Sequence, residues 1–273
     1  MNRRQLALTL PLLPVVGLSL AGLLSPAMAQ AGPALQAAID GPLRTPKNRA
    51  RDRWRHPGET LTFWGLRPGM TVVEIDPSGG YWTEILAPYL KATGGRYVAA
   101  QGGDTAAFKA RYADPAIWGE ITVVPFEATS GPLVPDGTAD LVITSRNIHD
   151  WMWTPGRVAK ALADFHSALK PAAILAVEEH RADPRPMVPE ATDGYVSVAW
   201  LTHTVDAAGF KLDGASEINA NPKDTKDHPF GVWTLPPTLR THAKDQPTPP
   251  DFDPSKYVAI GESDRMTLRF KKA

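Results

Sequence analysis

Short apolar runs rich in β-branched residues, alternating with helical segments, constrain the fold of this chain more than any other feature. The run at 71–75, Thr-Val-Val-Glu-Ile, is typical of a strand that is buried on both faces. Further runs of this kind lie at 96–100, 121–124, 139–144 and 174–178, with helical stretches between most of them. Strands that alternate with helices in this way predict an α/β fold with a doubly wound, mainly parallel sheet.

Two further segments, 210–212 and 265–270, complete a predicted seven-stranded sheet. Residues 30–52 are polar and basic and form a partly flexible lead-in with one helix, ahead of a domain that covers 53–273. The stretch 214–263, between the last two strands, is rich in Pro and Asp. An irregular connection of this length is unusual in a compact domain, and we interpret it as an insertion over the sheet.

Residues 1–29 have the features of a signal peptide. An uncharged stretch from 6 to 24 follows a positive start, and the small residues Ala27 and Ala29 stand at the positions that a signal peptidase reads. The alternative is an uncleaved membrane anchor, because the apolar stretch nearly reaches the length of about 20 residues that spans a bilayer. Two prolines inside the stretch favour cleavage. The expected location is therefore periplasmic or secreted, with no stable membrane anchor after removal of the signal.

The export route has two interpretations. The pair Arg3-Arg4, followed by Gln5-Leu6, resembles a twin-arginine signal, which carries proteins already folded. An ordinary secretory signal is the other interpretation.

Charge and cysteine content exclude some classes of function. Without residues 1–29 the chain carries 27 basic and 29 acidic residues, so no basic surplus is present to neutralise phosphates and no nucleic-acid partner is expected. The sequence has no cysteine, which excludes disulfides and thiolate–metal sites.

Polar or small residues follow the predicted strands at their carboxyl ends, where open α/β sheets bind ligands. Small residues let a ligand approach the backbone closely, and the helix after the first strand points its N-terminus at the same place. The residues that this rule selects are Glu74, Asp76, Ser78, Gly79 and Gly80 after the first strand, Gln101 after the second, Glu127 after the third, Asn147 and His149 after the fourth, and His180 after the fifth.

Several motifs resemble those of class I S-adenosylmethionine (SAM) dependent methyltransferases, which have a Rossmann-like fold. They are Leu-Arg-Pro-Gly-Met-Thr-Val-Val-Glu-Ile at 66–75, Pro-Asp-Gly-Thr-Ala-Asp-Leu-Val-Ile at 135–143 and Leu-Lys-Pro at 169–171. A group of exported bacterial predicted methyltransferases is more similar still. That resemblance runs from about residue 50 to the end and rests on the motifs at 54–57, 81–90, 146–151, 178–182, 221–227 and 231–236.

The resemblance implies that SAM is the cofactor and that the turn at 76–80 holds its amino-acid end. Glu74 matches the acidic residue that ends the first strand in that superfamily. The turn departs from the Gly-x-Gly-x-Gly pattern, because Asp76 and Ser78 occupy the first two glycine positions and only Gly80 fits the third, with Gly79 beside it.

Two more cofactor contacts are implied by the same resemblance. Gln101 stands where these enzymes place an acid that holds the ribose hydroxyls; an amide also hydrogen-bonds a hydroxyl, but without the charge that strengthens the bond. Glu127 matches the acid that holds the adenine amine.

Asn147 and His149 are the candidates for catalysis, since the methyl acceptor would lie after the fourth strand. A histidine can act as a general base near neutral pH, and an asparagine can orient the acceptor. The alternative is a histidine that stabilises its own loop. Glu179-His180-Arg181 is either a second group on the acceptor side or a polar strand end. No metal is expected, because the spacing of His149, His180 and His203 matches no tight ligand motif.

Arg55 and His56 lie ahead of the first strand, and pairing with acids is favoured over a role at the site. The residues and the resemblance together predict transfer of a methyl group from SAM to a small-molecule or cell-envelope acceptor. The alternative is a catalytically inactive binding protein of the periplasm that keeps this fold. It is motivated by the altered glycine turn and by the expected absence of SAM outside the cytoplasm.

Overall fold

A computed structural model describes residues 32–184 and 186–273, so the predicted signal peptide at 1–29 lies outside the described residues. Seven strands form one sheet in the order β3-β2-β1-β4-β5-β7-β6. The strands are β1 (Thr71–Ile75), β2 (Arg96–Gln101), β3 (Ile121–Pro125), β4 (Ala139–Ser145), β5 (Leu169–His180), β6 (Phe210–Ser216) and β7 (Arg265–Lys272). β1 to β5 pair in parallel, and β7 is antiparallel to both of its neighbours. The predicted seven-stranded, mainly parallel α/β sheet is confirmed.

Helices cover both faces of this sheet. In β1 the side chain of Val72 packs into one hydrophobic cluster, whereas those of Val73 and Ile75 pack into another on the opposite face. None of the helices in the described part of the chain has the length and apolar character needed to cross a membrane. The helices are α1 (Pro33–Asp40), α2 (Pro46–Arg49), α3 (Asp52–Arg55), α4 (Pro57–Phe63), α5 (Thr83–Thr93), α6 (Ala106–Arg111), α7 (Pro115–Trp118), α8 (Ile148–Trp151), α9 (Arg157–Ala168), α10 (Val198–Ala207) and α11 (Pro254–Ile260).

The segment before β1 packs firmly against the domain. Leu35 and Ile39 of α1 are buried, in the hydrophobic cluster that α5 helps to form. Arg44 forms two hydrogen bonds to Asp52, of 2.5 and 2.7 Å. The backbone N–H of Thr45 donates to a carboxylate of α5 at 2.9 Å. This packing positions α3 beside the carboxyl edge of the sheet.

β5 is longer than the predicted run at 174–178. At its start Leu169 pairs with β4 across a register shift, and at its end antiparallel pairing with β7 continues to His180. Because β7 pairs along this whole end, the backbone of β5 stays regular where the parallel strands have already stopped. The consequence is that Glu178, Glu179 and His180 are held in a rigid strand at the edge of the sheet.

The long connection before β7 runs from 217 to 264, because β6 extends beyond the predicted 210–212 to Ser216. Two short 3-10 helices are present among the described residues, at Pro189–Ala191 and within this connection at Gly231–Thr234. The connection is anchored by buried Asp224, which accepts hydrogen bonds from Tyr195 at 2.9 Å and from the N–H of Asp264 at 2.7 Å. It is therefore ordered by specific polar contacts with the domain.

Candidate active site

Two neighbouring cavities open at the carboxyl edge of the sheet. The main cleft has a volume of about 310 Å³ and the side cavity one of about 270 Å³. Asp76, Ser78, Asn147 and Asp150 line both, so the cavities adjoin. Seven of the ten predicted site residues line the main cleft, namely Glu74, Asp76, Ser78, Gly79, Asn147, His149 and His180.

The turn after β1 presents backbone and small side chains to the cleft. Asp76 and Ser78 have φ values of 46° and 47°, a left-handed conformation in which glycine is usual. The Ser78 hydroxyl donates to the carbonyl of Asp76 at 3.1 Å, and the Asp76 carboxylate accepts the N–H of Gly102 at 3.2 Å. Burial raises the pKa of Asp76. The turn is thus built in the glycine-type conformation although two glycines are replaced.

The two glycines of this turn have different roles. Gly79 lines the main cleft, and a Cβ added there would have no atom within 4 Å. Gly80 lines neither cavity, because it faces Tyr112: an added Cβ would lie 1.9 Å from the Tyr112 hydroxyl oxygen. Its φ of 75° is a second reason why glycine is required. Gly79 is therefore the glycine that a ligand can approach, and Gly80 is required by packing.

Glu74 is buried beneath the turn. Its carboxylate accepts hydrogen bonds from the Thr83 hydroxyl at 3.1 Å and from the Tyr97 hydroxyl. Burial raises the pKa of Glu74 to about 7, against the opposing effect of these two hydrogen bonds. The carboxylate therefore braces β1 against α5 and β2.

Of the two predicted nucleoside contacts, Gln101 lies at the side cavity and Glu127 lies at the surface. Gln101 lines the side cavity, and its buried Oε1 has no hydrogen-bond partner within the described chain. A buried carbonyl oxygen without a donor is a site that a hydroxyl group can satisfy. Glu127 lines neither cavity, and its carboxylate accepts the N–H of Gly103 at 3.0 Å. The structure thus brings Gln101, but not Glu127, to the cavity wall.

Asn147 braces two strand ends. Its amide nitrogen donates to the carbonyl of Ile75 at 3.0 Å and to the Thr144 hydroxyl at 3.3 Å, which occupies both of its N–H groups. The carbonyl oxygen is the atom that remains for a ligand. A role in orienting an acceptor would therefore depend on this oxygen.

His149 is buried at the start of α8 and is held by Glu179. Its Nδ1 lies 2.9 Å from Glu179 Oε1, so Nδ1 carries the proton and Nε2 has the free lone pair in the neutral ring. Nε2 lies 3.4 Å from the carboxylate of Asp150. Burial lowers the pKa of His149, but the charge and hydrogen bond of Glu179, together with Asp150, outweigh burial, and the pKa is raised overall. The pair has the arrangement of a general base with an orienting carboxylate.

Glu179 is saturated with donors. Besides His149 Nδ1 it accepts the backbone N–H groups of Ile148 at 2.8 Å, His149 at 3.4 Å and His180 at 2.8 Å. In the sequence Glu179 is distinguished only as the neighbour of His180, because its pairing with His149 joins residues thirty positions apart. One buried carboxylate thus sets the geometry of the loop after β4 and of the strand end of β5.

His180 lies beside this pair, and the centroid of its ring is 5.0 Å from that of the His149 ring. Its Nδ1 is hydrogen-bonded to the Ser263 hydroxyl. Burial lowers the pKa of His180 well below its ordinary value, and the nearby positive groups His149, Arg146 and Arg265 lower it further. His180 is accordingly a neutral ring at the wall of the cleft.

His149, Glu179 and His180 also lie close enough to resemble a metal site. One ligand atom from each falls within 4.8 Å of the others. Both carboxylate oxygens of Glu179 already accept hydrogen bonds, however. Each histidine also uses its Nδ1 in a hydrogen bond. We interpret the cluster as a hydrogen-bonded network around His149.

Several residues of the cleft were not among the predicted site residues. The long connection contributes Val232, Trp233 and 236–238, and the Trp233 ring lies 5.8 Å from that of His149. Arg55 pairs with Glu262, as favoured from the sequence, and also lines the cleft. Arg146 lines it as well, directly before Asn147 in the motif at 146–151.

Comparisons with known proteins establish the fold. Neither protein-family models nor curated proteins give a match. Among solved structures the chain is similar to a SAM-dependent methyltransferase from Aquifex aeolicus, at 17% identity over 82% of this chain and 93% of that one, with a TM-score of 0.54. It is also similar to the [4+2]-cyclase SpnF, at 14% identity over 90% of this chain and 99% of that one, with a TM-score of 0.55. Similarity at identities this low shows the fold alone, so the chemistry has to be inferred from the residues of the site.

Proposed function

We propose that this chain, which has the fold of class I SAM-dependent methyltransferases, transfers a methyl group from SAM to a small-molecule acceptor in the main cleft. The observation that supports this most directly is the placement of His149. Its ring is fixed by Glu179 at Nδ1, and it lines the same cleft as the turn after β1. A cofactor-type turn and an oriented base thus share one cavity.

The residues present fit the cofactor. The turn offers open backbone at Gly79, where an added Cβ would have no atom within 4 Å, and Gln101 has an unsatisfied carbonyl oxygen that suits a ribose hydroxyl. When bound, SAM supplies an electrophilic methyl group. The carboxylates of Asp76 and Asp150 line both cavities and favour a positively charged group there.

His149 would accept the acceptor's proton at Nε2. The raised pKa matches a base that works near neutral pH, and the hydrogen bond at Nδ1 stabilises the ring once it is protonated. The rest of the rate enhancement would come from holding the acceptor in line with the methyl group. The side chains that restrict the acceptor are those of Trp233 and His180.

The location of this activity is part of the proposal. The segment 1–29 motivates export to the periplasm, and an exported enzyme would meet acceptors of the cell envelope. A labelling experiment tests for such acceptors. Envelope extracts are incubated with methyl-labelled SAM and either the wild type or a His149→Gln variant, and the incorporated label is measured. Equal labelling by both would contradict the assignment of His149.

Cofactor binding has its own test. Titration calorimetry of the purified chain with S-adenosylhomocysteine should give heat, and Gly79→Trp should abolish that heat without lowering the unfolding temperature. The matched control is Gly131→Trp, at a glycine whose Cβ direction is equally open, whose φ is not positive and which lines neither cavity. Absence of heat with the wild type would overturn the proposal and favour an inactive binding protein.

A further inference from the structure

Arginine side chains from three segments converge on one end of the main cleft. Arg51 and Arg55 come from the region of α3, and Arg146 follows β4; all three line the cleft. Arg265, at the start of β7, is buried and shares the partner Glu262 with Arg51 and Arg55. Four guanidinium groups are therefore gathered around one part of the cleft, and two of them, those of Arg146 and Arg265, lie near enough to His180 to lower its pKa.

The carboxylates facing this cluster are too few to neutralise it. Glu262 contacts Arg51 at 2.6 Å, Arg55 at 2.9 Å and Arg265 at 3.1 Å. Glu178 contacts Arg265 at 2.9 Å. These two carboxylates contact three of the four guanidinium groups, those of Arg51, Arg55 and Arg265. The remaining acids of the cleft, Glu74, Asp76 and Asp150, belong to the turn after β1 and to α8.

Some of the buried guanidinium nitrogens lack acceptors. Arg55 has no exposed side-chain surface, and its Nη1 and Nη2 have no hydrogen-bond partner within the described chain. The centroid of the Tyr81 ring lies 4.6 Å from this guanidinium. The ring attracts the positive charge but does not replace a hydrogen-bond acceptor for the N–H groups. The Nε of Arg146 is likewise buried without a partner. Buried N–H groups without acceptors are unfavourable, so a ligand with acceptor oxygens fits this end.

We infer that Arg55 and Arg146 bind an anionic group, a carboxylate or a phosphate, that the methyl acceptor carries. The inference rests on the proposed function and adds the chemical class of the acceptor. Arginine suits such groups because its planar N–H groups match two oxygens at once. With the anion held there, the acceptor's nucleophile lies near His149, three residues after Arg146 in the same loop.

The same chemistry has a second source, since the amino-acid end of SAM also carries a carboxylate. The test therefore measures two ligands separately on the purified full chain, inorganic phosphate and S-adenosylhomocysteine. We expect phosphate to bind the wild type and to weaken by at least about ten-fold in Arg146→Met, as the loss of charged hydrogen bonds requires. Binding of S-adenosylhomocysteine should change less than about two-fold in that variant.

Two variants serve as controls. Arg96→Met removes an exposed arginine at the amino end of β2, opposite the cleft, and should leave phosphate binding as it is. Arg146→Lys keeps the charge and should retain part of the affinity. Circular dichroism checks that each variant is folded.

The outcomes separate the possibilities. Equal phosphate binding by wild type and Arg146→Met, or no phosphate binding by the wild type, would overturn the inference. So would competition between phosphate and S-adenosylhomocysteine with equal weakening of both in Arg146→Met, which would assign the arginines to the cofactor carboxylate. Absence of S-adenosylhomocysteine binding alone would instead count against the proposed function.

Discussion

The turn after β1 and the rim formed by the ends of β4 and β5 bound the same cleft, but they are built differently. The turn at 76–80 is one continuous segment that offers backbone groups and is supported by the buried carboxyl of Glu74. The rim consists of buried charged side chains whose partners come from remote parts of the chain, such as Glu179 with His149 and Glu178 with Arg265.

The turn and the rim therefore recognise ligands in different ways, the turn through backbone groups and the rim through charged side chains. Backbone recognition tolerates side-chain replacement, which is why Asp76 and Ser78 can occupy glycine positions and keep the left-handed conformation. A network of buried charges does not tolerate replacement, because removing one partner leaves the other unsatisfied. Changes at the rim should therefore affect chemistry, whereas changes at the turn should affect cofactor binding and stability.

The largest effect is expected from His149→Gln. Loss of a general base should lower the rate of methyl transfer by about 10²–10⁴-fold. In the wild type the rate should fall as pH is lowered through the pKa of His149, which is raised above its ordinary value, because only the neutral ring accepts a proton. Rate measurements across pH check both points, with the exposed residue change His203→Gln as the matched control. An unchanged pH profile in His149→Gln would contradict the role.

Glu74→Gln is expected to stabilise the protein at alkaline pH. The unfolded carboxyl ionises near its ordinary pKa, whereas the buried one retains its proton up to a pKa of about 7. Folding stability is therefore lost as pH rises through this interval, and above it the amide should be more stable than the wild type by up to about 3 kcal/mol. Urea unfolding at pH 5 and pH 8 measures this difference. Glu120→Gln, at an exposed position, should show no such dependence.

Glu179→Gln should lower the free energy of unfolding by about 2 kcal/mol, because an amide replaces an oxygen that accepts buried N–H groups. The same change removes the charge that raises the pKa of His149, so the midpoint of the pH–rate profile should move to lower pH. Urea unfolding and the pH profile are the measurements. A loss no larger than that of the exposed variant Glu190→Gln would show that Glu179 is dispensable.

The smallest effects distinguish the two glycines of the turn. Gly80→Ala should destabilise the fold by about 1–2 kcal/mol, because the added Cβ meets Tyr112 and the backbone has a positive φ. Gly79→Ala should change stability by less than about 0.5 kcal/mol and should weaken binding of S-adenosylhomocysteine. Thermal unfolding and calorimetry of the pair provide the test. The reverse pattern would place the cofactor against Gly80.

Some strands and site residues could be predicted from the sequence, and others could not. The β-branched runs predicted the five parallel strands, because a strand buried on both faces must be apolar along its length. The ends of β5 and β6 were underestimated, since their pairing with β7 extends through polar residues that carry no hydrophobic pattern. For the site, the rule of strand carboxyl ends selected His149 and Asp76 correctly as cleft residues. It also selected Gly80 and Glu127, which the structure directs elsewhere.

The sequence by itself determined the α/β alternation, the sheet edge at which a ligand would bind and the position of a histidine there. These are local properties, set by the period of the hydrophobic pattern and by the geometry of parallel strands. Only the tertiary structure decided that Glu179 orients this histidine and that Arg55 and Arg146 line the same cleft. Such pairings join residues tens to hundreds of positions apart, and their energies arise from burial, which a linear pattern of charges does not encode.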